Sequence, residues 1–164
     1  MHGIVCGYHK KGGKQRCVSK VGLMKAYDTV NWEFLFTVIE LMQFPSRFIT
    51  WIKNGVCTAQ FSLNLNGSLV GYFKSERGLR QGDPLSPYLF LLAMEVFPSL
   101  FDFKLQQHRF DHHPKCGILE ITNIIFADDL FLLFAATTKA ASLMKSVLDN
   151  FSRWSGLTPN AEKS

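Results

Sequence analysis

Two adjacent carboxylates, Asp128 and Asp129, interrupt the most apolar segment of the chain, residues 121–134 (ITNIIFADDLFLLF). Burying an unpaired carboxylate is costly or forces it to take up a proton, so such a pair is usually supplied with cations. The simpler alternative is a solvent-exposed turn between two strands. The apolar runs on either side have the β-branched and aromatic composition of core strands. The sequence therefore predicts a hairpin with two acids at its tip and a candidate metal site.

A pair of carboxylates suits phosphoryl-transfer chemistry. Two divalent ions about 3.5 to 4 Å apart activate an attacking hydroxyl and stabilise the leaving oxygen. Magnesium prefers oxygen ligands and keeps some of its waters, so two or three protein carboxylates are enough. A third acid would complete the set, and Asp28 and Glu95 are the candidates. The possibility that the chain has no third acid stays open.

The charge of the chain is unevenly distributed. Its 164 residues suit one domain with a real core, and Lys and Arg outnumber Asp and Glu by 18 to 13. Six basic residues precede the first acid, Asp28: Lys10, Lys11, Lys14, Arg16, Lys20 and Lys25. A basic segment of this kind attracts phosphate backbones or an anionic surface, although it can also be merely solvated.

The cysteines suggest neither a zinc ribbon nor a disulfide scaffold, because the four are widely spaced and form no C-x-x-C pair. His112, His113 and Cys116 are close enough to share a metal, but no fourth ligand is evident and Pro114 indicates a polar loop. No signal peptide opens the chain, and the Asp pair cuts the longest apolar stretch below the roughly 20 residues of a membrane span. We expect a soluble intracellular protein, nuclear or cytoplasmic, with no membrane partner.

The elements that must position these residues follow from periodicity. Residues 17–21 predict a strand, and Asn31 can cap a helix with Leu35, Val38, Ile39 and Met42 on one face. Pro45 starts a second helix, in which Phe48, Ile52 and Val56 repeat. Alternating residues 61–65 and 69–73 flank Asn66-Gly67, the strongest short hairpin signal. These segments predict a strand, two helices and a hairpin in that order.

The second half of the chain begins with a glycine-rich loop, residues 78–87, in which Ser86 and Pro87 can cap and start a largely buried helix over 88–97. Pro98 should kink or end that helix, and residues 104–117 read as loop. Thr138 can cap a last helix, with Gly156 closing it; its apolar face is predicted from Leu143, Val147, Phe151 and Trp154. Residues 157–164 resemble a strand without a partner.

One α+β domain is the simplest account of this order. Strands are predicted at 17–21, 61–65, 69–73, 118–126 and 129–134, forming an antiparallel sheet with helices packed on one face.

Four ordered segments carry a specific resemblance: KAYD at residues 25–28, GLRQGDPLSP at 78–87, FADD at 126–129 and SGLTPNAEK at 155–163. In this order and spacing the chain resembles the palm of a LINE-type (non-LTR retrotransposon) reverse transcriptase, most of all the plant members. The resemblance covers essentially the whole chain. It implies a partial reverse transcriptase domain over 1–164, with 1–16 a basic remnant of the connection to the fingers and with fingers and thumb largely missing.

The same resemblance implies RNA-directed DNA polymerase chemistry, with an RNA template, a DNA primer, dNTPs and two Mg²⁺ or Mn²⁺ ions. Asp128 and Asp129 match the catalytic, metal-binding pair of the hairpin. Tyr27 matches the residue that packs under the incoming sugar. Gln81 and Gly82 match the loop that touches template and nucleotide, and Lys163 matches a lysine near the triphosphate.

One position departs from the family pattern. The first metal-binding aspartate of the family stands three residues before the lysine of the KAYD segment, and this sequence has Gly22 there. Asp28 matches the last residue of that motif, which is not a metal ligand in the family. Loss of one of three carboxylates weakens ion binding and predicts a loss of about 10³-fold or more in rate. The chain is therefore expected to be inactive, and the alternative is a non-catalytic remnant that binds nucleic acid.

Overall fold

The computed structural model describes residues 15–107, 110–116 and 119–160. Two antiparallel sheets are present in this part of the chain, and its contacts divide it into two compact units. The first unit contains the residues up to Met24, Phe97–Arg153 and those from Thr158 onward; the second contains Lys25–Val96 and Trp154–Leu157. No helix among the described residues is long and apolar enough to cross a membrane.

The first unit is built on a three-stranded antiparallel sheet. Its strands are β1 (Arg16–Gly22), β4 (Asn123–Phe126) and β5 (Asp129–Ala135), in the order β1-β5-β4. The apolar residues of β5 give the sheet its core, since Leu130, Leu132 and Leu133 are buried. The predicted strand over 118–126 is shorter than expected, because β4 begins only at Asn123.

Two helices complete the first unit, α5 (Val96–Gln107) and α6 (Thr138–Ser155). They pack through Phe97 and Phe151, whose buried rings meet edge to face at 5.4 Å. The helix cap is Thr137 and not Thr138, since the Thr137 hydroxyl accepts the Ala140 N–H. The buried face of α6 also differs from the prediction: Trp154 is exposed, and Ala140, Met144, Val147 and Phe151 are buried.

The second unit contains α1 (Ala26–Thr29), α2 (Trp32–Leu41), α3 (Ser46–Cys57), β2 (Gln60–Leu65), β3 (Ser68–Lys74) and α4 (Ser86–Met94). The Asn31 side chain caps α2 by accepting the Phe34 N–H, as predicted. Asn66 and Gly67 both have positive φ, which confirms the predicted hairpin turn. The β2–β3 hairpin forms a separate two-stranded sheet and not part of the main sheet.

Two further predictions around α4 and α5 need correction. Ser86 is already helical and Leu85 is the N-cap of α4. The predicted effect of Pro98 is seen one turn earlier: α4 ends at Met94, four residues before Pro98, and Pro98 lies in the first turn of α5, where its missing N–H needs no partner. That helix continues to Gln107 and so replaces the start of the predicted loop.

Residues 158–160 are paired, contrary to the prediction of an unpartnered strand over 157–164. Met24 donates its N–H to the Thr158 carbonyl at 2.9 Å, and Asn160 donates to the Gly22 carbonyl at 2.8 Å. Leu23 and Pro159 form the bridge between these bonds. The segment therefore continues the sheet beside the end of β1, next to Gly22.

Candidate active site

The Asp128–Asp129 pair lies at the tip of the β4–β5 hairpin. Phe126 pairs with Asp129, so Ala127 and Asp128 form a two-residue turn. Ala127 has φ 52 whereas Asp128 is not among the positive-φ residues, which fits a type II′ turn, whose first position favours glycine. An L-residue in this region carries about 1–2 kcal/mol of strain. The hairpin confirms the fold predicted from the sequence and holds a strained residue directly before the two acids.

The two aspartates have different surroundings. Asp128 is exposed and its carbonyl accepts the Leu23 N–H at 3.1 Å, so its backbone is fixed to the end of β1. Asp129 is the first residue of β5, and its side chain is 31% exposed. It stands opposite Gly22 in the pairing of β1 with β5. The position facing Asp129 therefore lies where the resemblance places the missing aspartate, and it carries no side chain.

Lys20 forms an ion pair with Asp129 that the sequence alone did not predict. Its ammonium lies 2.8 Å from Oδ2 of Asp129. Lys20 and Gly22 are two residues apart on one strand, so their positions lie on the same face of the sheet. The two-residue spacing is visible in the sequence, but it points to Asp129 only when the pairing of β1 with β5 is known.

The described residues do not supply the three-carboxylate set that the resemblance implies for a two-ion site. Within residues 15–107, 110–116 and 119–160, no three His, Cys, Asp or Glu side chains are grouped so that they could hold a metal ion. Of the two earlier candidates for a third acid, Asp28 accepts a hydrogen bond from Gln81 in the second unit, and Glu95 is an exposed residue at the end of α4. Among the same described residues, His112, His113 and Cys116 do not form a group that could hold a metal ion.

His113 and Cys116 are instead buried parts of the first unit's core. The His113 side chain accepts the Lys115 N–H at 3.2 Å through Nδ1, and its carbonyl accepts the Cys116 N–H at 2.8 Å. Burial lowers the pKa of His113, and the positive charges of Arg16 and Lys115 lower it further. Burial also raises the pKa of the Cys116 thiol. A neutral imidazole and a protonated thiol fit a structural role.

The second unit holds the other predicted site residues of the described chain. Tyr27 lies in α1, half-buried, and its ring stacks on Phe90 with centroids 5.0 Å apart. Gln81 Nε2 donates to Asp28 Oδ1 at 2.9 Å, which joins the glycine-rich loop to α1. Lys163 and residues 1–14, which include Lys10, Lys11 and Lys14, lie outside the described residues.

The glycine-rich loop combines a fixed end and an open end. Gly78 donates its N–H to the Val30 carbonyl at 2.8 Å and accepts the Trp32 indole N–H at 2.6 Å. Gly82 has φ +88, and a Cβ built there meets no heavy atom within 4 Å. The backbone at Gly82 is therefore accessible to a ligand, as the sequence predicts for this loop.

A cavity of about 300 Å³ borders the same loop in the second unit. Arg80 and Asp83 of the loop line it together with the aromatic side chains of Trp32, Phe61 and Phe73. Its volume is at the lower end of the range for small-molecule sites, about 300–1,000 Å³. Charged groups and aromatic faces thus meet beside the loop.

The described residues form helices and antiparallel sheets with an aspartate pair at a hairpin tip, which is the fold class that the sequence predicted. A family model described as reverse transcriptase (RNA-dependent DNA polymerase) matches residues 2–164. The chain belongs to the reverse transcriptase family.

The similar proteins come largely from non-LTR retrotransposons, in agreement with the predicted LINE-type relationship. The chain is 30% identical over 165 residues to the retrovirus-related Pol polyprotein of the type-2 retrotransposable element R2DM of Drosophila melanogaster. The aligned region covers 98% of this chain and 14% of that polyprotein. A type-1 R2 polyprotein of Popillia japonica is 28% identical over 92% of the chain and 24% of its own length. The chain thus spans a small part of these polyproteins.

Two further similarities come from a plant protein and a solved structure. An uncharacterised mitochondrial protein of Arabidopsis thaliana, AtMg01250, is 40% identical over 81 residues, 46% of this chain and 62% of that protein. The structure of telomerase from Candida albicans in complex with a telomeric RNA fragment superposes with a TM-score of 0.69 at 13% identity, covering 93% of this chain and 27% of the telomerase. At this identity the superposition supports the fold alone.

Proposed function

We propose that this chain is a partial reverse transcriptase domain, the palm region of a non-LTR retrotransposon polymerase, over residues 1–164. It is an RNA-directed DNA polymerase by descent and does not catalyse nucleotide addition as it stands. Family membership and the ordered motifs support the first statement. The second is carried by one observation, the pairing of Gly22 with Asp129.

The loss of activity follows from the charges at the hairpin. In an intact member of the family, three carboxylates would gather two Mg²⁺ or Mn²⁺ ions, which would activate the primer hydroxyl and stabilise the leaving oxygen. Here Asp128 and Asp129 are the two remaining acids, and one of them is paired with Lys20. No step of nucleotidyl transfer is therefore assigned to this chain.

Other residues would keep family roles in binding an RNA template, a DNA primer and a dNTP. Tyr27 would pack under the sugar of the incoming nucleotide, and its stacking on Phe90 gives it the fixed position that this role needs. Gln81 and Gly82 would contact the template and the nucleotide, which the open space at Gly82 allows. Lys163 would lie near the triphosphate.

A primer-extension assay tests the proposal. The purified chain is incubated with an RNA template, a DNA primer, dNTPs and either Mg²⁺ or Mn²⁺, and we expect no extension above the background of a protein-free control. Template-dependent synthesis that Asp128→Ala abolishes would contradict the proposed inactivity. The Asp128→Ala variant is needed because it distinguishes the hairpin from a contaminating polymerase.

A second candidate function is nucleic-acid binding without turnover. The observation that favours it is the run of six basic residues before the first acid in the sequence. Such a segment binds phosphates through charge, so binding would be strongly sensitive to salt. This function is compatible with an inactive hairpin.

A further inference from the structure

Lys20 is held beside Asp129 by two contacts in the first unit. Its ammonium lies 2.8 Å from Asp129 Oδ2, and it also lies 5.9 Å from the centre of the Phe131 ring. Phe131 is the residue directly opposite Lys20 in the β1–β5 register. The side chain of Lys20 is 52% exposed, so the pair is partly screened by water.

The strand that carries Lys20 offers Asp129 no carboxylate. Gly22 faces Asp129, is buried, and uses its carbonyl to accept the Asn160 N–H. Lys20 is on the same face of β1 as Gly22, because side chains two residues apart share a face. Where the family places an anion on this face, the chain therefore presents a buried glycine and a cation.

The net charge of this small group is low. Two aspartates contribute two negative charges and Lys20 one positive charge, which leaves one negative charge. A divalent ion approaching Asp129 would have to displace the ammonium or bind beside it, and both routes weaken binding. Because the group is partly exposed, solvent and salt reduce this effect without removing it.

We propose that Lys20 is the resident counter-ion of Asp129: it holds this carboxylate in place of a divalent cation and lowers the affinity of the hairpin for Mg²⁺ and Mn²⁺. This inference shares with the proposed function the premise that Gly22 removes a ligand, and it adds a second, independent cause for weak ion binding. Lys20 acts through Asp129 and is a positioning residue.

The test is a Mn²⁺ titration of the full chain at low ionic strength, with free Mn²⁺ followed by electron paramagnetic resonance. Lys20→Met is expected to bind Mn²⁺ about tenfold more tightly than the wild type, since it removes one nearby positive charge. Lys20→Arg keeps the charge and is expected to match the wild type. Adding Asp129→Asn to Lys20→Met should abolish the gain.

Lys139→Met is the matched control, because it removes the same charge from an exposed lysine on α6. It separates a local effect from the change in net charge. If Lys20→Met binds Mn²⁺ no more tightly than Lys139→Met, including the case in which neither binds, the proposal is overturned. Lys20→Gln serves as a second neutral variant if Lys20→Met unfolds. DNA synthesis by the wild type would contradict the proposed inactivity and leave this comparison intact.

Discussion

At the scale of single residues, the proposed inactivity and the proposed weak ion binding rest on Gly22 and Lys20. Both lie on β1, and the β1–β5 register brings Gly22 opposite Asp129. Asp128 and Asp129 alone would suggest an intact site, since Gly22 and Lys20 are more than 100 positions away in the sequence. We propose that one position on a neighbouring strand changes the chemistry of a hairpin that keeps both of its aspartates.

The departure from the family motif at Gly22 was predictable from the sequence and the ion pair of Lys20 with Asp129 was not, for a physical reason. Position 22 follows from its fixed spacing to the KAYD segment, which is local. The ion pair of Lys20 depends on the pairing of β1 with β5, and a sequence pattern does not give that register. A charged residue two positions from a site residue on a strand is, however, a usable signal, because the two share a face.

His113 gives a prediction at this scale. Burial and the charges of Arg16 and Lys115 lower the pKa of His113 in the folded chain. Above the ordinary histidine pKa of about 6.5, both states hold a neutral imidazole and the shift has no effect. As the pH falls below that value, the unfolded chain takes up a proton that the folded chain refuses, so stability declines until the lower folded pKa is reached.

Thermal unfolding between pH 7.5 and pH 5 measures this effect. His113→Gln keeps a hydrogen-bond acceptor and cannot titrate, so its melting temperature should change less with pH than that of the wild type, whatever its absolute value. An equal pH dependence in both proteins would contradict the assignment.

At the scale of elements, the tight turn and the helix cap were predictable from the sequence, and the pairing of distant strands was not. The Asn66-Gly67 turn and the Asn31 cap depend on neighbouring residues, and both were predicted correctly. The sequence did not show that β2–β3 forms its own sheet, or that Thr158 and Asn160 pair with the end of β1. Those outcomes depend on contacts between distant segments.

The glycine-rich loop gives a prediction at the element scale, from two glycines with similar backbone angles. Gly78 has φ +85 and a Cβ there would lie 2.6 Å from the Asp28 carbonyl oxygen, whereas Gly82 has φ +88 and open space. Gly82→Ala should cost about 1–2 kcal/mol from backbone strain alone. Gly78→Ala should cost about 2–5 kcal/mol, because steric overlap adds to the strain.

Urea denaturation of the two alanine variants measures the difference. Since the φ angles match, any excess loss in Gly78→Ala reports the close approach of the loop to α1. Equal losses would show that the Gly78 backbone does not need this space.

At the scale of the whole molecule, the family is established and the partners remain proposals. The chain covers 14% of the Drosophila polyprotein and 24% of the Popillia polyprotein. Composition predicted a basic chain, and motif order predicted the family, because four segments in fixed order are far more specific than any one of them.

The basic segment gives a prediction at this scale. We expect the chain to bind RNA–DNA hybrid more weakly at 200 mM than at 50 mM salt, by about tenfold or more, because binding releases counter-ions. Changing Lys10 and Lys11 to Gln should weaken binding and reduce its salt dependence by about one to two charges. Fluorescence anisotropy at several salt concentrations measures both.

A double variant of Lys139 and Lys145, two exposed lysines on α6, is the control with the same net charge. If this control weakens binding as much as the Lys10 and Lys11 variant, the effect comes from net charge and not from the basic segment.

The most direct measurement is the Mn²⁺ affinity of Gly22→Asp compared with Gly22→Ala, by the same resonance titration. Both variants add a side chain at a buried strand position, but only Gly22→Asp supplies a carboxylate facing Asp129. We predict at least about tenfold tighter binding for Gly22→Asp, because ion affinity rises with the number of charged ligands. Equal affinity in the two variants would contradict the proposal that Gly22 weakens ion binding at the hairpin of this reverse transcriptase domain.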